Sequence, residues 1–338
     1  MRVSLLLLLL AVVAAPVSAQ TDVFTWSAGA SGGDWDDGTN WNGCVETTGS
    51  PSCSFPLGTG DVAILPNGSV VSQQAVTRTP DELRVSGVAT VTGLGAVSVD
   101  LLTLASGSTL AVESEVRAVA VSADASSEVA GGGRLQLLDD VALTVGLSVG
   151  TVDCFNSSGE TCDLTGAAVT ASELWMTGGG LLLVDGSAAG ALDVLYIDAR
   201  PLGGGGPVPG DITFTGAPAT FDLASIRTVD YFGTVDFNGG SGTVANVLLG
   251  SANQEGLRNF EDLTVTGSME WNGGTVETAG AFTVAEGATV QPVGNNYVKG
   301  RTRPRGPTRS RSSTPSTSCP TPSPSTAAWS ACSGGRSR

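Results

Sequence analysis

The sequence contains no histidine and only one lysine, Lys299. Without histidine the chain cannot form the Ser-His-Asp or Cys-His arrangements of nucleophilic catalysis, and it lacks the imidazole ligand of the common zinc sites. The phosphate-loop pattern G-x-x-x-x-G-K-[ST] is also absent, and the glycine run at residues 203–206 precedes proline rather than a helix. These absences exclude most familiar catalytic sites and leave carboxylate chemistry as the main route to an enzyme.

Aromatic and charged residues are scarce, at 5% and 14% of the chain, whereas glycine is abundant, with 47 residues. Glycine costs about 1 kcal/mol per residue in a helix relative to alanine, so this composition argues against long helices. Glycine instead supplies turn positions, and the many Val and Thr residues suit a pleated strand. The composition predicts an all-β chain of short strands joined by tight turns.

The composition divides the chain into four segments. Residues 1–19 predict a signal peptide, because a positive start and a short apolar run lead to small residues. Residues 20–66 are rich in Trp, Gly and Asp, and residues 67–298 form a repetitive body. Residues 299–338 lack acidic residues and are rich in Arg, Pro and Ser, which predicts a disordered basic tail. We interpret this tail as a frameshift or truncation product, with a polyanion-binding tail as the alternative.

The distribution of charge and cysteine indicates export. Residues 1–298 hold all 32 acidic residues and eight arginines, a net charge of −24, which argues against binding to nucleic acid or to anionic membranes. Cys44 and Cys53 bracket one turn-rich segment, and Cys154 and Cys162 bracket another, so we expect two local disulfides. The sequence therefore predicts a secreted or cell-surface protein without a transmembrane segment in the mature chain.

Short phrases repeat within the body. Residues 102–110 read LTLASGSTL and residues 282–290 read FTVAEGATV, so in each phrase two strand fragments meet at a glycine turn. A second pattern, a strand that ends in Thr-Gly or Ser-Gly, occurs at residues 83–87, 174–178 and 263–267. Brief strands with a core of Val, Leu and Ala favour a β-solenoid, and the alternative is a β-sandwich with more buried aromatic residues. At about 20 residues per coil, the body would contain about a dozen coils.

The N-terminal segment carries a resemblance to known proteins. Residues 24–41 read FTWSAGASGGDWDDGTNW, and residues 56–65 read PLGTGDVAIL. This order of motifs resembles the opening of secreted bacterial right-handed β-helix proteins. The later coil phrases resemble autotransporter-passenger-like and adhesin-like cell-surface β-helices. The resemblance implies a right-handed parallel β-helix that is exported and often adhesive.

Trp26, Trp35 and Trp41 are the first candidate functional residues. An open solenoid end exposes backbone donors and acceptors, so these side chains are expected to cap the first coil. The functional alternative is a platform on which sugar rings stack, which would make this segment a carbohydrate-binding module.

Asp34, Asp36, Asp37 and Asn40 offer hard oxygen ligands that suit calcium. Their spacing differs from the EF-hand loop, and the nonapeptide repeat of calcium-binding β-rolls is absent. Calcium is therefore a possible cofactor, and a polar turn without metal is the alternative.

We expect a non-catalytic, adhesin-like structural protein that presents a lateral surface to glycans, extracellular matrix or other cell-surface molecules. The alternative is a polysaccharide lyase or glycoside hydrolase on the same scaffold, in which carboxylates from stacked coils would meet. The β-helix pectin hydrolases that the chain resembles use a histidine, which is absent here. The related lyases use a basic residue beside bound calcium, and Arg84, Arg134 and Arg258 lie near acidic residues. We interpret these arginines as surface ion-pair partners and predict no catalytic residue.

Overall fold

The computed structural model describes residues 22–42, 60–74, 76–156, 159–198, 209–216, 218–229, 233–250, 256–293 and 296–300. Within these ranges the chain is all-β, with stacked parallel coils that form a β-solenoid of about ten turns. No helix in the described part of the chain is long and apolar enough to cross a membrane. The predicted signal peptide, the Cys44 and Cys53 pair and residues 301–338 lie outside the described residues.

Fourteen strands and two 3₁₀ helices form the N-terminal half of the solenoid. They are β1 (Asp22–Trp26), η1 (Gly29–Ser31), β2 (Gly33–Asp34), η2 (Gly38–Asn40), β3 (Trp41–Asn42), β4 (Asp61–Pro66), β5 (Ser69–Gln73), β6 (Glu82–Ser86), β7 (Val88–Gly93), β8 (Ala96–Leu104), β9 (Thr109–Val112), β10 (Glu115–Ser122), β11 (Glu128–Leu138), β12 (Val141–Ala142), β13 (Gly146–Phe155) and β14 (Thr161–Asp163).

Twelve strands and one 3₁₀ helix form the C-terminal half. They are β15 (Ala168–Val169), β16 (Glu173–Thr177), β17 (Gly180–Asp185), η3 (Gly186–Ala191), β18 (Val194–Asp198), β19 (Gly210–Thr215), β20 (Thr220–Val229), β21 (Gly233–Leu249), β22 (Gly256–Trp271), β23 (Gly274–Thr278), β24 (Phe282–Val284), β25 (Thr289–Pro292) and β26 (Asn296–Gly300). The last strand includes the first two residues of the predicted tail, 299 and 300.

The strands stack as three parallel ladders, which we name faces A, B and C. Face A contains β1, β4, β6, the ends of β8 and β10, β12, β14, β17, β19, the starts of β21 and β22, β23 and β26. Face B contains β5, β7, β9, the starts of β11 and β13, β15, the start of β20, the middle of β21 and β22, and β24. Face C contains the starts of β8 and β10, the ends of β11 and β13, β16, β18, the ends of β20, β21 and β22, and β25.

This pairing confirms the parallel β-solenoid and shows that the β-sandwich alternative is wrong, because the strands pair in parallel with the next coil. The coil length varies along the chain. Val62 pairs with Glu82, and Glu82 pairs with Leu101, so these coils take 20 and 19 residues. Val194 pairs with Ser225, so that coil takes 31 residues. Long coils of this kind reduce the number of turns to about ten, below the predicted dozen.

The repeated phrases form corners of the solenoid. Gly107 lies between β8 and β9 with φ 72°, and Gly287 lies between β24 and β25 with φ 85°. Both glycines therefore occupy the left-handed region that the predicted turns require. Gly87 and Gly178 follow β6 and β16 with φ 95° and φ 94°, whereas Gly267 lies inside β22 without a left-handed φ. The third copy of the second pattern thus continues its strand instead of ending it.

The inward-facing side chains stack on their counterparts in the next coil. Leu83 pairs in register with Leu102, and both are fully buried. In the C-terminal half an aromatic stack replaces the aliphatic ladder: the ring centroids of Phe214 and Phe237 lie 5.8 Å apart, and those of Phe237 and Phe260 lie 6.4 Å apart. The prediction of a core of small aliphatic residues is therefore wrong for this region.

We predict that Phe237→Ala lowers the free energy of unfolding by about 3–5 kcal/mol, because the cavity would lie between two other rings of the stack. Urea denaturation followed by circular dichroism measures the change. Thr264→Ala, at an outward-facing position of β22, is the control and is expected to change the free energy by less than about 0.5 kcal/mol. Equal effects of the two substitutions would contradict the stacked core.

Candidate functional site

The three N-terminal tryptophans lie together inside the first coil. Trp26, Trp35 and Trp41 are 2%, 0% and 6% exposed. The ring centroid of Trp41 lies 5.0 Å from that of Trp26 and 4.9 Å from that of Trp35, both in edge-to-face contact. The Trp41 Nε1 donates a hydrogen bond of 2.8 Å to the backbone oxygen of Trp35. Strand β3 pairs antiparallel with β1, so the parallel stacking changes direction at this end.

This geometry is the one expected of an end cap. The indole rings contact each other edge to face and are almost fully buried, so a sugar ring could not stack on them in this structure. The carbohydrate-binding role of Trp26, Trp35 and Trp41 stays a prediction, and their burial does not favour it.

The carboxylates of the candidate calcium site have separate protein partners. The Asp34 carboxylate accepts hydrogen bonds of 3.0 Å from the backbone N–H of Asp36 and of 2.8 Å from the Gln74 side chain. The Asp36 carboxylate forms an ion pair with Arg78 and accepts hydrogen bonds from both its Nε and its Nη2. These contacts connect the N-terminal segment to the next coil through side chains.

The other two candidate ligands stabilise the local turn. The Asp37 carboxylate accepts hydrogen bonds from the hydroxyl and the backbone N–H of Thr39, at 2.7 and 2.9 Å, and these bonds lower the pKa of Asp37. Asn40 donates to the backbone oxygen of Asp34 at 3.0 Å. Among the described residues, no group of three or more acidic or cysteine side chains could hold a metal ion. Calcium binding at Asp34, Asp36, Asp37 and Asn40 stays a prediction.

One of the two predicted disulfides is confirmed. Cys154 of β13 and Cys162 of β14 are bonded, with their Cα atoms 6.1 Å apart, and both side chains are buried. The bond closes the short loop between the end of β13 on face C and β14 on face A. The second predicted pair, Cys44 and Cys53, lies outside the described residues.

Face C carries an aromatic surface that the sequence analysis missed. Phe155 of β13, Trp175 of β16 and Tyr196 of β18 lie on successive coils, and each is partly exposed. We name these three residues the lateral aromatic cluster. All other aromatic side chains whose exposure the structure describes are buried: Phe24, Trp26, Trp35, Trp41, Phe214, Phe221, Phe237, Phe260, Trp271 and Phe282.

Trp175 and Tyr196 lie within a stack of cationic and aromatic groups, whereas Phe155 pairs in register with Thr177, two residues along the strand from Trp175. The ring centroids of Trp175 and Tyr196 are 4.8 Å apart, with an interplanar angle of 47°. The guanidinium of Arg134 lies 4.9 Å from the Trp175 centroid, and that of Arg227 lies 5.9 Å from the Tyr196 centroid. Cation–π contacts of this kind are worth about 0.5–1 kcal/mol at exposed sites. Trp175 therefore lies between Arg134 and Tyr196, and Tyr196 lies between Trp175 and Arg227, so each ring has a neighbour on both sides.

The buried Asp153 carboxylate lies on the coil that precedes Trp175 and binds Arg134 of this stack. Asp153 is 0% exposed and accepts hydrogen bonds from Arg134, from Gln136 at 2.5 Å and from the Thr177 hydroxyl at 2.8 Å. A buried charge is tolerated only when it is paired and hydrogen-bonded, and Asp153 meets both conditions. The ion pair also holds the Arg134 guanidinium in place above the Trp175 ring.

The three arginines weighed as candidate bases form ion pairs; Arg84 and Arg258 do so at the surface, as predicted, whereas the partner of Arg134 is buried. Arg84 pairs with Glu82 at 2.7 Å, and Arg258 pairs with Asp236 at 3.3 Å, while Arg134 pairs with the buried aspartate described above. The hydrogen bond from Arg84 lowers the pKa of Glu82. Each guanidinium therefore has a structural partner in the folded chain.

A local signal was present in the sequence for one of these residues. Polar Glu173 and Thr177 alternate in phase with Trp175, so strand alternation places Trp175 outward, as observed. Residues 194–197 are all apolar, and the outward direction of Tyr196 is known only from its burial pattern. The contact between Trp175 and Tyr196 depends on the register between their coils. That register cannot be read from the sequence, because the coil length varies.

No protein-family model matches the chain, and comparisons with curated proteins and with solved structures give no match. The resemblance to autotransporter-like and adhesin-like proteins therefore remains an expectation, and the β-solenoid is established by the strand pairing.

We predict that Asp153→Asn lowers the free energy of unfolding by about 3 kcal/mol, because Arg134 would lose its charged partner in a mostly buried site. Chemical denaturation measures the change, with the exposed Glu286→Gln as a control for the loss of one negative charge. The double variant Asp153→Leu with Arg134→Met is expected to recover much of the stability. A double variant no more stable than Asp153→Asn would contradict this account of the pair.

Proposed function

We propose that the chain is a secreted or cell-surface, non-catalytic, adhesin-like protein that binds glycans on face C through the lateral aromatic cluster. The observation that carries the proposal is the concentration of Phe155, Trp175 and Tyr196 on three successive coils. The other aromatic side chains whose exposure the structure describes are buried. Exposed aromatic surface that is held in place by neighbouring groups is typical of binding sites.

The polar groups around the cluster suit a ligand rich in hydroxyl groups. The Glu173 carboxylate accepts a hydrogen bond of 2.7 Å from the Trp175 Nε1, and the Tyr196 hydroxyl donates to Asp198 at 3.3 Å. The exposed guanidinium of Arg227 offers further donors at the other side of the rings. The exposed parts of these rings, together with the polar groups beside them, can contact both the C–H and the O–H groups of a sugar.

Two features support the non-catalytic and extracellular parts of the proposal. The Asp153 carboxylate beneath the cluster is enclosed by three donors, so it does not face solvent as a free acid or nucleophile. The Cys154–Cys162 disulfide suits an oxidising compartment. The alternative of a lyase or hydrolase on this scaffold is tested by the same experiment as glycan binding.

We predict that the purified chain binds a subset of glycans on an array and that Tyr196→Ala weakens this binding about tenfold, the effect of losing a well-packed aromatic contact. Trp175→Phe is expected to weaken it less, because part of the ring surface remains. The control is Trp35→Phe in the N-terminal cap, which is expected to bind like the wild type. Thermal unfolding of each variant checks that the fold is kept.

A parallel assay for new reducing ends and for unsaturated products tests for catalysis on the same glycans. The proposal requires that none form. Release of such products would establish the enzyme alternative. Loss of binding in Trp35→Phe with full binding in Tyr196→Ala would place the glycan site at the N-terminal tryptophans and overturn the proposal.

A further inference from the structure

Among the arginines that the structure describes, Arg227 is the one without a carboxylate partner. Each of the others forms an ion pair; they are Arg78, Arg84, Arg117, Arg134 and Arg258. Residues 1–298 hold 32 acidic residues and only eight arginines, so carboxylate partners are abundant in this part of the chain. An exposed guanidinium that remains unpaired in such a chain is a candidate for binding a ligand.

The neighbours of Arg227 in the ladder of face C are uncharged. Arg227 of β20 pairs in register with Tyr196 on the preceding coil and with Leu248 on the following coil. Arg227 is exposed, and both neighbours are partly exposed. The guanidinium carbon lies 5.9 Å from the ring centroid of Tyr196. An exposed cation therefore lies directly beside the lateral aromatic cluster, with an aliphatic side chain on its other side.

The polar side chains along one edge of this ladder are neutral. Ser225 lies two residues before Arg227 in β20, so it points to the same side of the strand, and it pairs in register with Asn246. Asn246 pairs in turn with Ser268, whose hydroxyl donates to the Asn246 side-chain oxygen at 2.8 Å. Asn246 and Ser268 are exposed. These groups can form hydrogen bonds with a ligand without repelling an anion.

The carboxylates beside the aromatic rings do not pair with Arg227. The Glu173 carboxylate accepts its hydrogen bond from the Trp175 Nε1, and the Asp198 carboxylate accepts one from the Tyr196 hydroxyl. No described residue accepts a hydrogen bond from the Arg227 guanidinium, which contacts the Tyr196 ring. The guanidinium N–H groups therefore remain as donors for a ligand that lies against face C.

These features favour a carboxylate as the ligand group. A guanidinium carries parallel N–H donors in a planar fork, which match the two oxygens of a carboxylate. A neutral hydroxyl group would form hydrogen bonds without the charge, and such bonds contribute less. Because the ring of Tyr196 lies beside the guanidinium, the carboxylate would belong to a ligand that also contacts the exposed part of this ring.

We infer that the glycan bound at the lateral aromatic cluster carries a carboxylate, as a uronic acid does, and that Arg227 binds this carboxylate. The inference rests on the proposed glycan binding and adds the charge of the ligand to it. The sugar ring would contact the exposed parts of Tyr196 and Leu248, and its hydroxyl groups would lie near Ser225 and Asn246.

The net negative charge of the chain does not prevent this contact. Glu270 is the next charged residue along the ladder, and it lies two coils from Arg227, a separation of about 9.6 Å. At about 0.15 M salt the Debye length is about 8 Å, so exposed charges at larger distances are largely screened. The guanidinium and a carboxylate in direct contact are screened much less. Binding is therefore measured at this salt concentration.

The test compares tetramers of glucose, galactose and mannose that differ only at C6. Each set contains a neutral member with a CH₂OH group, a member with a carboxylate and a member with a 6-O-sulfate. The full chain is titrated with each member, and binding is measured by calorimetry. In a set that binds, we expect the carboxylate member to bind about tenfold more tightly than the neutral member, the effect of one charge-assisted contact.

Variants with the same change in charge locate the contact. Arg227→Gln is expected to abolish the preference, so that the carboxylate and neutral members bind with similar affinities. Arg227→Lys keeps the charge without the planar fork and is expected to retain part of the preference. The control is Arg84→Gln on face A, where the arginine is also exposed, and it is expected to change the preference less than twofold. Circular dichroism of each variant checks that the fold is kept.

The outcomes separate this inference from the proposed function. Equal binding of the neutral and carboxylate members, with both weakened by Tyr196→Ala, would keep the glycan site and overturn the role of Arg227. A preference that Arg227→Gln retains, equal losses in Arg227→Gln and Arg84→Gln, or tightest binding of the sulfate member would also overturn it. No binding of any tetramer, or binding that Tyr196→Ala leaves unchanged, would contradict both the proposed site and this inference.

Discussion

The stacking of each coil on the next is the constraint on which the rest of the structure depends. Parallel hydrogen bonds join every coil to its neighbours, so the backbone groups of one coil are satisfied by the coils above and below. Strands in such a ladder lie about 4.8 Å apart, so inward side chains must pack against the residue in the same register one coil away. This explains the paired leucines Leu83 and Leu102 and the ring stack around Phe237.

The same constraint separates structural from functional positions. Inward positions are restricted by their neighbours. In the first described coil, β3 pairs antiparallel with β1 and the three tryptophans are buried, which is consistent with the predicted cap. Outward positions are free to vary. Large aromatic residues on face C therefore require an explanation beyond packing of the core. The proposed glycan binding is one that the rigid scaffold would allow.

The local features of the fold could be predicted from the sequence, because short phrases determine them. The glycine turns at Gly107 and Gly287 and the Cys154–Cys162 bond all follow from residues a few positions apart. The register between coils could not be predicted, because coil lengths of 19 and 31 residues occur in one chain. The contact of Trp175 with Tyr196 depends on that register. The outward direction of Tyr196 could not be predicted either, because residues 194–197 are all apolar and show no alternation.

Distances between spin labels at equivalent positions of face C test the stacking most directly. Labels carried on unnatural amino acids leave the native cysteines intact, with one label at Thr289 and the second at Ser225, Thr151 or Glu115. These residues lie three, six and eight coils from Thr289 in the ladder. The account predicts distances of about 14, 29 and 38 Å, a linear increase with coil number. Distances that do not increase with coil number would contradict the solenoid.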